Sequence, residues 1–346
     1  MKRWSQVHKG PLAFSRNRVA RTRRPSLKRM LRKFHSRKQI RPERFRPVEA
    51  MRQIETMKRQ KREFVDLCDR HIMNTRMAFV KSVTHVENVH TTLYLIGEKH
   101  DVYHGRCKSI VDMFEELFQE NTVMIDFMIE LMQVHTDFYT QIPFDQDDSQ
   151  INNVRNRYTP CIVRRNCPGI RVHWADPTQT TFEKNKNIAL WLNILSTYPI
   201  GSNLWMKDIF LTDILSQISD VPKLLTENRF VVKEIERAAK VNPAFTLPFA
   251  IRLFEEMWTT LLRNFVEKAK REGFDYDMNS NWQKFVPMQL RRVVDFYTAA
   301  RIISFRMPHV ICYVGDSHAQ AIVQILQALE FQTVEQKTFE AVPPCF

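Results

Sequence analysis

Two apolar runs in distant parts of the chain end in the same polar pattern. Residues 93–100 read LYLIGEKH and residues 311–318 read ICYVGDSH. Each run is typical of a buried β-strand and is followed by Gly, an acidic residue, any residue and His. We predict that Gly97 and Gly315 let the chain turn sharply at the carboxyl ends of these strands, where α/β folds gather their ligand-binding groups. The chain has only 7 glycines, which gives the matching positions added weight.

The pattern between these runs predicts further strands and a long helical stretch. Residues 123–131 (VMIDFMIEL) are apolar with poor alternation and predict a second buried strand, with a helix as the alternative. Residues 169–176 (GIRVHWAD) predict a third strand, which ends before Pro177. Residues 141–159 have loop composition. Apolar positions at three- and four-residue steps predict helices within 47–90, 108–119, 182–271, 289–306 and 319–329, and residues 331–335 predict a short closing strand.

The alternation of strand, turn and helix predicts the class of fold. Helical stretches long enough for crossovers favour an α/β fold with a mainly parallel sheet flanked by helices. We place this domain at residues 91–346 and interpret residues 182–271 as a helical insert within it. A helical lead-in at residues 47–90 and an extended basic arm at residues 1–46 precede the domain.

Composition constrains the cellular compartment. With 346 residues, 44% of them hydrophobic, the chain can bury one large core or two modest ones. The 6 cysteines have spacings that fit neither zinc knuckles nor a small disulfide framework, so we expect reduced thiols. No apolar run approaches the roughly 18 to 20 residues of a membrane span, and the amino terminus lacks the apolar segment of a secretory signal. These features predict a soluble protein that is not secreted.

The basic charge of the chain is concentrated near its amino terminus. Residues 1–62 hold 22 Lys and Arg against three Glu, a net charge of +19, and the remaining 30 basic and 35 acidic residues give −5. Such an arm would bind nucleic-acid phosphates, lie along an acidic surface in an assembly, serve as a mitochondrial transit peptide, or stay solvated without a defined partner. The candidate contact residues are Arg21, Arg23, Arg24, Lys28, Arg29, Arg32, Lys33, Arg37 and Lys38.

Imidazoles and carboxylates are predicted to meet at the carboxyl edge of the sheet. Neutral His nitrogens and carboxylate oxygens suit a divalent cation, and a bound cation would lower the pKa of its water to about 7. Arg171 would either clamp an anionic substrate group or form a salt bridge to Asp176 or Glu98. The sequence has no Walker A loop, glycine-rich dinucleotide loop, nucleophile elbow or HExxH motif. The groups expected at this edge are Glu98, His100, Glu130, His173, Asp176, Asp316 and His318.

The paired Gly-x-x-His motifs resemble those of a known superfamily. It joins Tiki proteases, TraB-type proteins, ChaN-like haem-binding lipoproteins and erythromycin-esterase-like hydrolases, and residues 97–101 (GEKHD) are similar to the GExHD of the ChaN-like branch. More narrowly, about residues 90–335 resemble a protein family of large nucleocytoplasmic DNA viruses. The segments that carry this resemblance are LIGEKHD, residues 126–130, Arg171-x-His173-x-x-Asp176, Asp295-x-Tyr297-x-x-x-Arg301 and YVGDSHAQ.

The resemblance implies an α/β core with a divalent-metal site formed by Glu98, His100, Glu130 and His318. In a metal-dependent hydrolase, the catalytic residues would be Glu98, His100, His318 and Arg171, and His173, Asp176 and Asp316 would support the site or act as alternative ligands. Haem would need an exposed Tyr or His ligand, for which Tyr103 and His104 are the candidates, and we do not expect it. Because the superfamily includes proteases, esterase-like enzymes and haem binders, the resemblance leaves the reaction open.

The sequence therefore predicts a viral protein with a metal-dependent-hydrolase-like α/β fold, anchored by its basic arm to nucleic acid or to an acidic assembly surface. The alternative is a non-catalytic structural component of the virion that uses the fold as a scaffold. The corresponding locations are the virion or the host cytoplasm or nucleus, with the mitochondrial matrix as a third alternative.

Overall fold

The computed structural model of the protein describes residues 47–74, 80–99, 109–132, 150–164, 167–177, 225–226, 228–272 and 292–339. The basic arm and the first part of the predicted helical insert lie outside these residues. The chain divides into two compact units, Met1–Ile54 and Glu55–Phe346, and the sheet lies wholly in the second. The described α-helices are α1 Pro47–Cys68, α2 Ile110–Glu120, α3 Gln150–Arg164, α4 Arg229–Ala239, α5 Leu247–Glu272, α6 Arg292–Ser304 and α7 Asp316–Gln327, and a π-helical turn, Asp69–Met73, follows α1.

Among the described residues, six strands form one sheet in the order β4-β3-β5-β2-β1-β6. Neighbours among β4, β3, β5 and β2 are parallel, whereas β1 is antiparallel to both β2 and β6. The mainly parallel α/β fold predicted from the sequence is confirmed. Since the four parallel strands share one direction, their carboxyl ends lie at the same edge of the sheet. The strands are β1 Val80–Glu87, β2 Thr92–Glu98, β3 Ile125–Met132, β4 Ile170–Asp176, β5 His309–Gly315 and β6 Gln332–Thr338.

Helices cover both faces of the sheet. Every residue of β2 and β5 is buried, as expected for parallel strands that have helices on both sides. Leu95 and Cys312 contribute to a hydrophobic cluster with α4, α5, α6 and α7, while Tyr94 and Tyr313 contribute to a second cluster with α1, α2 and α3. Side chains of successive strand residues therefore enter different cores.

Two segments differ from the sequence prediction. The predicted helical lead-in at residues 47–90 contains a strand, β1, and so the sheet begins before residue 91. The predicted loop at residues 141–159 contains the first ten residues of helix α3, which ends at Arg164. In both cases tertiary pairing decides the structure: β1 lies between β2 and β6, and α3 buries Ile151 and Val154 in a hydrophobic cluster.

In the part of the chain that the structure describes, two helices end with a left-handed residue that is not glycine. Arg306 follows α6 with φ 48°, and Glu330 follows α7 with φ 67°. Each helix closes with a pair of backbone hydrogen bonds: Arg306 N to Ile303 O (3.0 Å) and Met307 N to Ile302 O (3.4 Å) after α6, and Glu330 N to Gln327 O and Phe331 N to Leu326 O (both 3.1 Å) after α7. Glycine is usual at this position because a side chain there costs about 1 kcal/mol or more.

The cysteines do not all follow the prediction of reduced thiols. Cys161, near the end of α3, and Cys167, shortly before β4, form a disulfide with their Cα atoms 5.4 Å apart. Cys68 and Cys312 are free and buried. The sequence does not predict the disulfide between Cys161 and Cys167, because the distance between the end of α3 and the start of β4 depends on the fold. Across the described residues, no helix is long and apolar enough to cross a membrane.

Candidate active site

The carboxyl edge of the parallel strands gathers buried ionisable groups. Glu98 is the last residue of β2 and lies opposite Gly315, the last residue of β5, in the parallel register. Glu130 lies near the end of β3, and His318 lies in the first turn of α7 directly after β5. The three side chains are no more than 6% exposed. Glu98, Glu130 and His318 therefore lie at the edge of the sheet where the sequence predicts them, whereas His173, predicted at the same edge, does not.

The two oxygens of the Glu98 carboxyl group have different surroundings. The Tyr313 hydroxyl donates a hydrogen bond to Oε2, whereas Oε1 is buried and has no hydrogen-bond partner among the described residues. Burial, with a smaller contribution from the nearby Glu130 carboxylate, raises the pKa of Glu98 to about 7. The Tyr313 hydrogen bond and the Ile151 backbone, at the start of α3, act in the opposite direction. A carboxyl group with this pKa changes its protonation state at neutral pH.

Glu130 interacts electrostatically with both Glu98 and His318. Its Oε2 accepts a hydrogen bond of 2.8 Å from the backbone N–H of Gly315, which holds the end of β3 against β5. Arg155 on α3 donates from Nε to the Glu130 carbonyl at 2.5 Å, and its Nη2 lies 3.7 Å from Oε1. The Glu130 carboxylate raises the pKa of both Glu98 and His318. It therefore couples the protonation of those two groups.

His318 is held by a buried carboxylate from α6. Its Nδ1 lies 2.6 Å from Asp295 Oδ1, and Asp295 is fully buried. Arg292 binds the other Asp295 oxygen at 3.2 Å and the Ser317 carbonyl at 2.6 Å. Burial opposes the charged imidazole, but the Asp295 carboxylate more than offsets this effect and raises the pKa of His318 to about 9. At neutral pH the site holds an imidazolium ion paired with Asp295.

Gly97 joins the two repeated motifs. It lies within β2, and a Cβ atom at this position would come within 2.7 Å of Asp316 Oδ1 and 2.9 Å of Asp316 Cα. Asp316 itself is fixed by Ser82 Oγ at 2.5 Å and Lys81 Nζ at 3.2 Å, both on β1, and by Gln320. Glycine is therefore required for the close approach of α7 to β2. The predicted sharp turn at Gly97 is wrong, because β2 continues to Glu98.

The predicted polar residues of β4 form a different cluster. Arg171 Nη2 and His173 Nε2 both bind Asp126, at 2.6 and 2.8 Å. Asp126 is the second residue of β3, about 13 Å along the strand from Glu130. The predicted salt bridge of Arg171 to Asp176 or Glu98 is replaced by this one. Asp316 contacts β1, and Asp176 ends β4 beside Met132.

The metal prediction depends in part on residues that the structure does not describe. His100, Tyr103 and His104 are among these. No group of three or more His, Cys, Asp or Glu side chains placed to hold a metal ion occurs among the described residues. One acceptor fits a metal: the buried Oε1 of Glu98, which has no hydrogen-bond partner among the described residues. The Nε2 of His318 would fit one after loss of its proton, because the other ring nitrogen is oriented by a carboxylate as in many metal-bound imidazoles.

Sequence reasoning missed three residues that organise this site: Tyr313, Asp295 and Arg155. Tyr313 and Ile311 lie on the same face of β5, so the sequence pattern predicts a core residue at both positions. Only the register between β2 and β5 places the Tyr313 hydroxyl beside Glu98. Asp295 belongs to the motif Asp295-x-Tyr297-x-x-x-Arg301, which is part of the family resemblance and could have identified Asp295 as a site residue. Arg155 lies in a segment predicted as loop, so the sequence offered no reason to select it.

The fold and these contacts define the class of protein: an α/β protein with a buried acid–base cluster at the carboxyl edge of a mainly parallel sheet. The chain matches no protein-family model, no curated protein and no solved structure. The resemblance to the Tiki, TraB and ChaN-like superfamily and to a viral family therefore stays a prediction.

Proposed function

We propose that the carboxyl edge of the sheet is the active site of a hydrolase in which Glu98 is the general base. The observation that supports this most directly is the buried Oε1 of Glu98, which has no hydrogen-bond partner in the part of the chain that the structure describes, together with a pKa of about 7. General bases are most effective when their pKa lies near the working pH, and buried carboxylates that reach this value cluster at functional sites.

The neighbouring groups complete a hydrolytic arrangement. Oε1 of Glu98 accepts a proton from a water molecule or a substrate hydroxyl, while Tyr313 holds Oε2 and fixes the direction of the carboxylate. The His318 imidazolium supplies positive charge to stabilise an oxyanion that develops in the transition state. Asp295 keeps that imidazole charged and oriented. The reaction class that these roles support is the hydrolysis of an ester or amide bond.

A divalent cation would fit the same acceptors. Glu98 Oε1 and His318 Nε2 would hold it, with Glu130 and His100 as the further predicted ligands, and His318 would have to lose its Nε2 proton to bind. When bound, the cation would supply Lewis acidity and an activated water. The orientation of His318 by Asp295 and of Glu98 by Tyr313 serves the chemistry in either case.

Glu98→Gln should lower kcat by about 10² to 10⁴-fold, the range for loss of a general base, because the amide oxygen cannot take up the proton. The measurement is hydrolysis of chromogenic ester and amide substrates between pH 5 and 9, with and without a chelator and added Zn²⁺ or Mn²⁺. The wild-type rate should rise with pH through an apparent pKa of about 7. Glu236→Gln, at an exposed position of α4, is the matched control and should leave the rate unchanged.

The variant Tyr313→Phe tests whether the role of Glu98 is catalytic or structural. Loss of the hydroxyl removes a hydrogen bond that lowers the pKa of Glu98, so the pH–rate profile should move to higher pH while the fold is kept. A rate that does not depend on pH, or an unchanged rate in Glu98→Gln, contradicts the proposal. Absence of hydrolysis across the substrate series would favour the alternative, in which the fold is a non-catalytic scaffold in a virion.

We propose that the basic arm anchors the protein to nucleic acid. Residues 1–46 hold 17 Lys and Arg against one Glu, a net charge of +16, while the remaining 35 basic and 37 acidic residues give −2. The sign of the charge therefore changes at the boundary of the arm. Phosphate contacts made by such an arm release counterions and give an affinity that falls steeply with salt.

Deletion of residues 1–46 should remove nucleic-acid binding. In the full chain, 6 to 10 phosphate contacts correspond to a loss of affinity of roughly 10³ to 10⁵-fold between 50 and 200 mM salt. Fluorescence anisotropy with labelled duplex DNA and single-stranded RNA measures both effects. Replacing Arg21, Arg23, Arg24, Arg29, Arg32 and Arg37 by Lys keeps the charge and should keep the salt dependence. Binding that is insensitive to salt, or that survives the deletion, would contradict the proposal and favour an apolar contact in an assembly.

A further inference from the structure

A cavity of about 540 Å³ lies at the edge of the sheet opposite the candidate active site. Its wall includes Thr91, which directly precedes β2, whereas Glu98 ends that strand, so the two sites are about 20 Å apart along β2. Ile303, Leu329 and Phe331 give the cavity an apolar wall. The volume lies within the range of sites that bind small organic ligands.

Four charged residues line this cavity, and two of them form an ion pair with each other. Lys61 Nζ binds Glu87 Oε2 at 2.8 Å, so those charges neutralise each other. Arg306 and Glu330 also line the cavity, and neither forms an ion pair or a side-chain hydrogen bond with any part of the chain that the structure describes. An unpaired cation and an unpaired carboxylate therefore face one cavity.

The backbone gives a second, independent reason to single out these two residues. Arg306 and Glu330 are the non-glycine residues with left-handed backbone among the described residues, and both occupy the helix-terminal position at which glycine is usual. Strained backbone of this kind is concentrated at ligand sites, where a side chain is needed in spite of its cost. Two unrelated helices thus end with a strained charged residue at the same cavity.

We propose that this cavity binds a zwitterionic ligand of the short-peptide class, with its carboxylate on Arg306 and its ammonium group on Glu330. A guanidinium is the side chain best matched to a carboxylate, because it donates two parallel hydrogen bonds. The apolar wall formed by Ile303, Leu329 and Phe331 receives an aliphatic or aromatic side chain of the ligand. This site is independent of the hydrolytic site proposed above.

The probe is the dipeptide Leu-Phe in four forms: free, N-acetylated, C-amidated and blocked at both ends. Isothermal titration calorimetry with the full chain should show the free dipeptide binding about tenfold or more tightly than either singly blocked form, since each blocked end removes a charge-assisted hydrogen bond. The doubly blocked form should bind most weakly. Equal binding of all four forms, or no binding of the free form at millimolar concentration, would overturn the proposal.

The variants Arg306→Gly and Glu330→Gly show which residue binds which end of the ligand. In Arg306→Gly the free and C-amidated dipeptides should bind equally, and in Glu330→Gly the free and N-acetylated forms should bind equally. Because glycine relieves the left-handed strain, each variant should also raise the melting temperature by about 2 °C. These variants therefore lose binding without loss of the fold. A lowered melting temperature in both would show that the side chains serve the fold, and would overturn the proposal.

Discussion

Replacing Asp295 with Ala will lower the free energy of unfolding by about 3 to 5 kcal/mol, the range for removing one partner of a buried ion pair. Asp295 is fully buried and binds both His318 and Arg292. Its removal leaves the buried imidazolium without its counter-ion, and the cost is the unfavourable solvation of that charge. Urea denaturation at pH 7 measures the change.

A matched exposed pair is the control for Asp295. Glu63 lies 3.7 Å from Arg59 on the surface of α1, and Glu63→Ala should change the free energy of unfolding by less than about 1 kcal/mol. Asp295→Asn tests the charge separately, because it keeps the size of the side chain. In that variant the pKa of His318 should fall from about 9, as followed by NMR of the imidazole. An unchanged pKa would show that Asp295 is not what keeps His318 charged.

The His318 pair also predicts how stability depends on pH. The pKa of His318 is raised in the folded protein, so its stabilising contribution is fully present below the unfolded value of 6.5 and is lost as pH rises through about 9. The difference corresponds to about 3 kcal/mol. Asp295→Asn should flatten the fall in stability across this window. The pKa of Glu98 is also raised in the folded protein, so its contribution to stability is likewise lost as pH rises from 4.5 to about 7. Glu98→Gln should remove this second dependence of stability on pH.

Gly97→Ala should lower the free energy of unfolding by about 3 kcal/mol, near the upper end of the usual cost of overpacking. The added methyl group would meet the backbone of Asp316 at 2.9 Å as well as the Ser82 side chain. A backbone atom at the start of α7 cannot move without shifting the helix. Thermal and urea denaturation of the purified variant measure the loss.

Ser82→Ala in the Gly97→Ala background separates the two clashes. It removes the Ser82 hydroxyl but leaves the Asp316 backbone in place, so it should recover only part of the loss. The displacement of α7 should also disturb His318, and the pKa of its imidazole should change in Gly97→Ala. Full recovery by Ser82→Ala would show that the approach of α7 to β2 is not the constraint.

The sequence was sufficient to predict the groups that lie at strand ends. Glu98, Glu130 and His318 follow from strand direction alone, because parallel strands bring their carboxyl ends to one edge. Tyr313 and Asp295 could not be predicted in the same way. The role of Tyr313 depends on the register between β2 and β5, and that of Asp295 on how α6 packs against α7. Contacts between elements are not encoded in the periodicity of either element.

The errors in the fold have a similar physical origin. The sequence predicts β1 as part of a helical segment, but its partners, β2 and β6, supply the hydrogen bonds that make it a strand. Residue type alone predicts a sharp turn at Gly97, whereas the structure shows that the absence of a Cβ atom is what matters there. The disulfide between Cys161 and Cys167 required knowledge of where α3 ends relative to β4.

The pairing of β2 with β5 has a consequence for synthesis of the protein. Glu98 and Tyr313 are 215 residues apart in the chain, and both hydrophobic clusters contain residues of β5. Neither core can be completed on the ribosome until β5 has emerged, and such distant pairing makes folding slow. During elongation β2 and β3 remain without the strand that separates them. We expect the nascent chain to depend on chaperones that shield these apolar strands, and the acid–base cluster to form last.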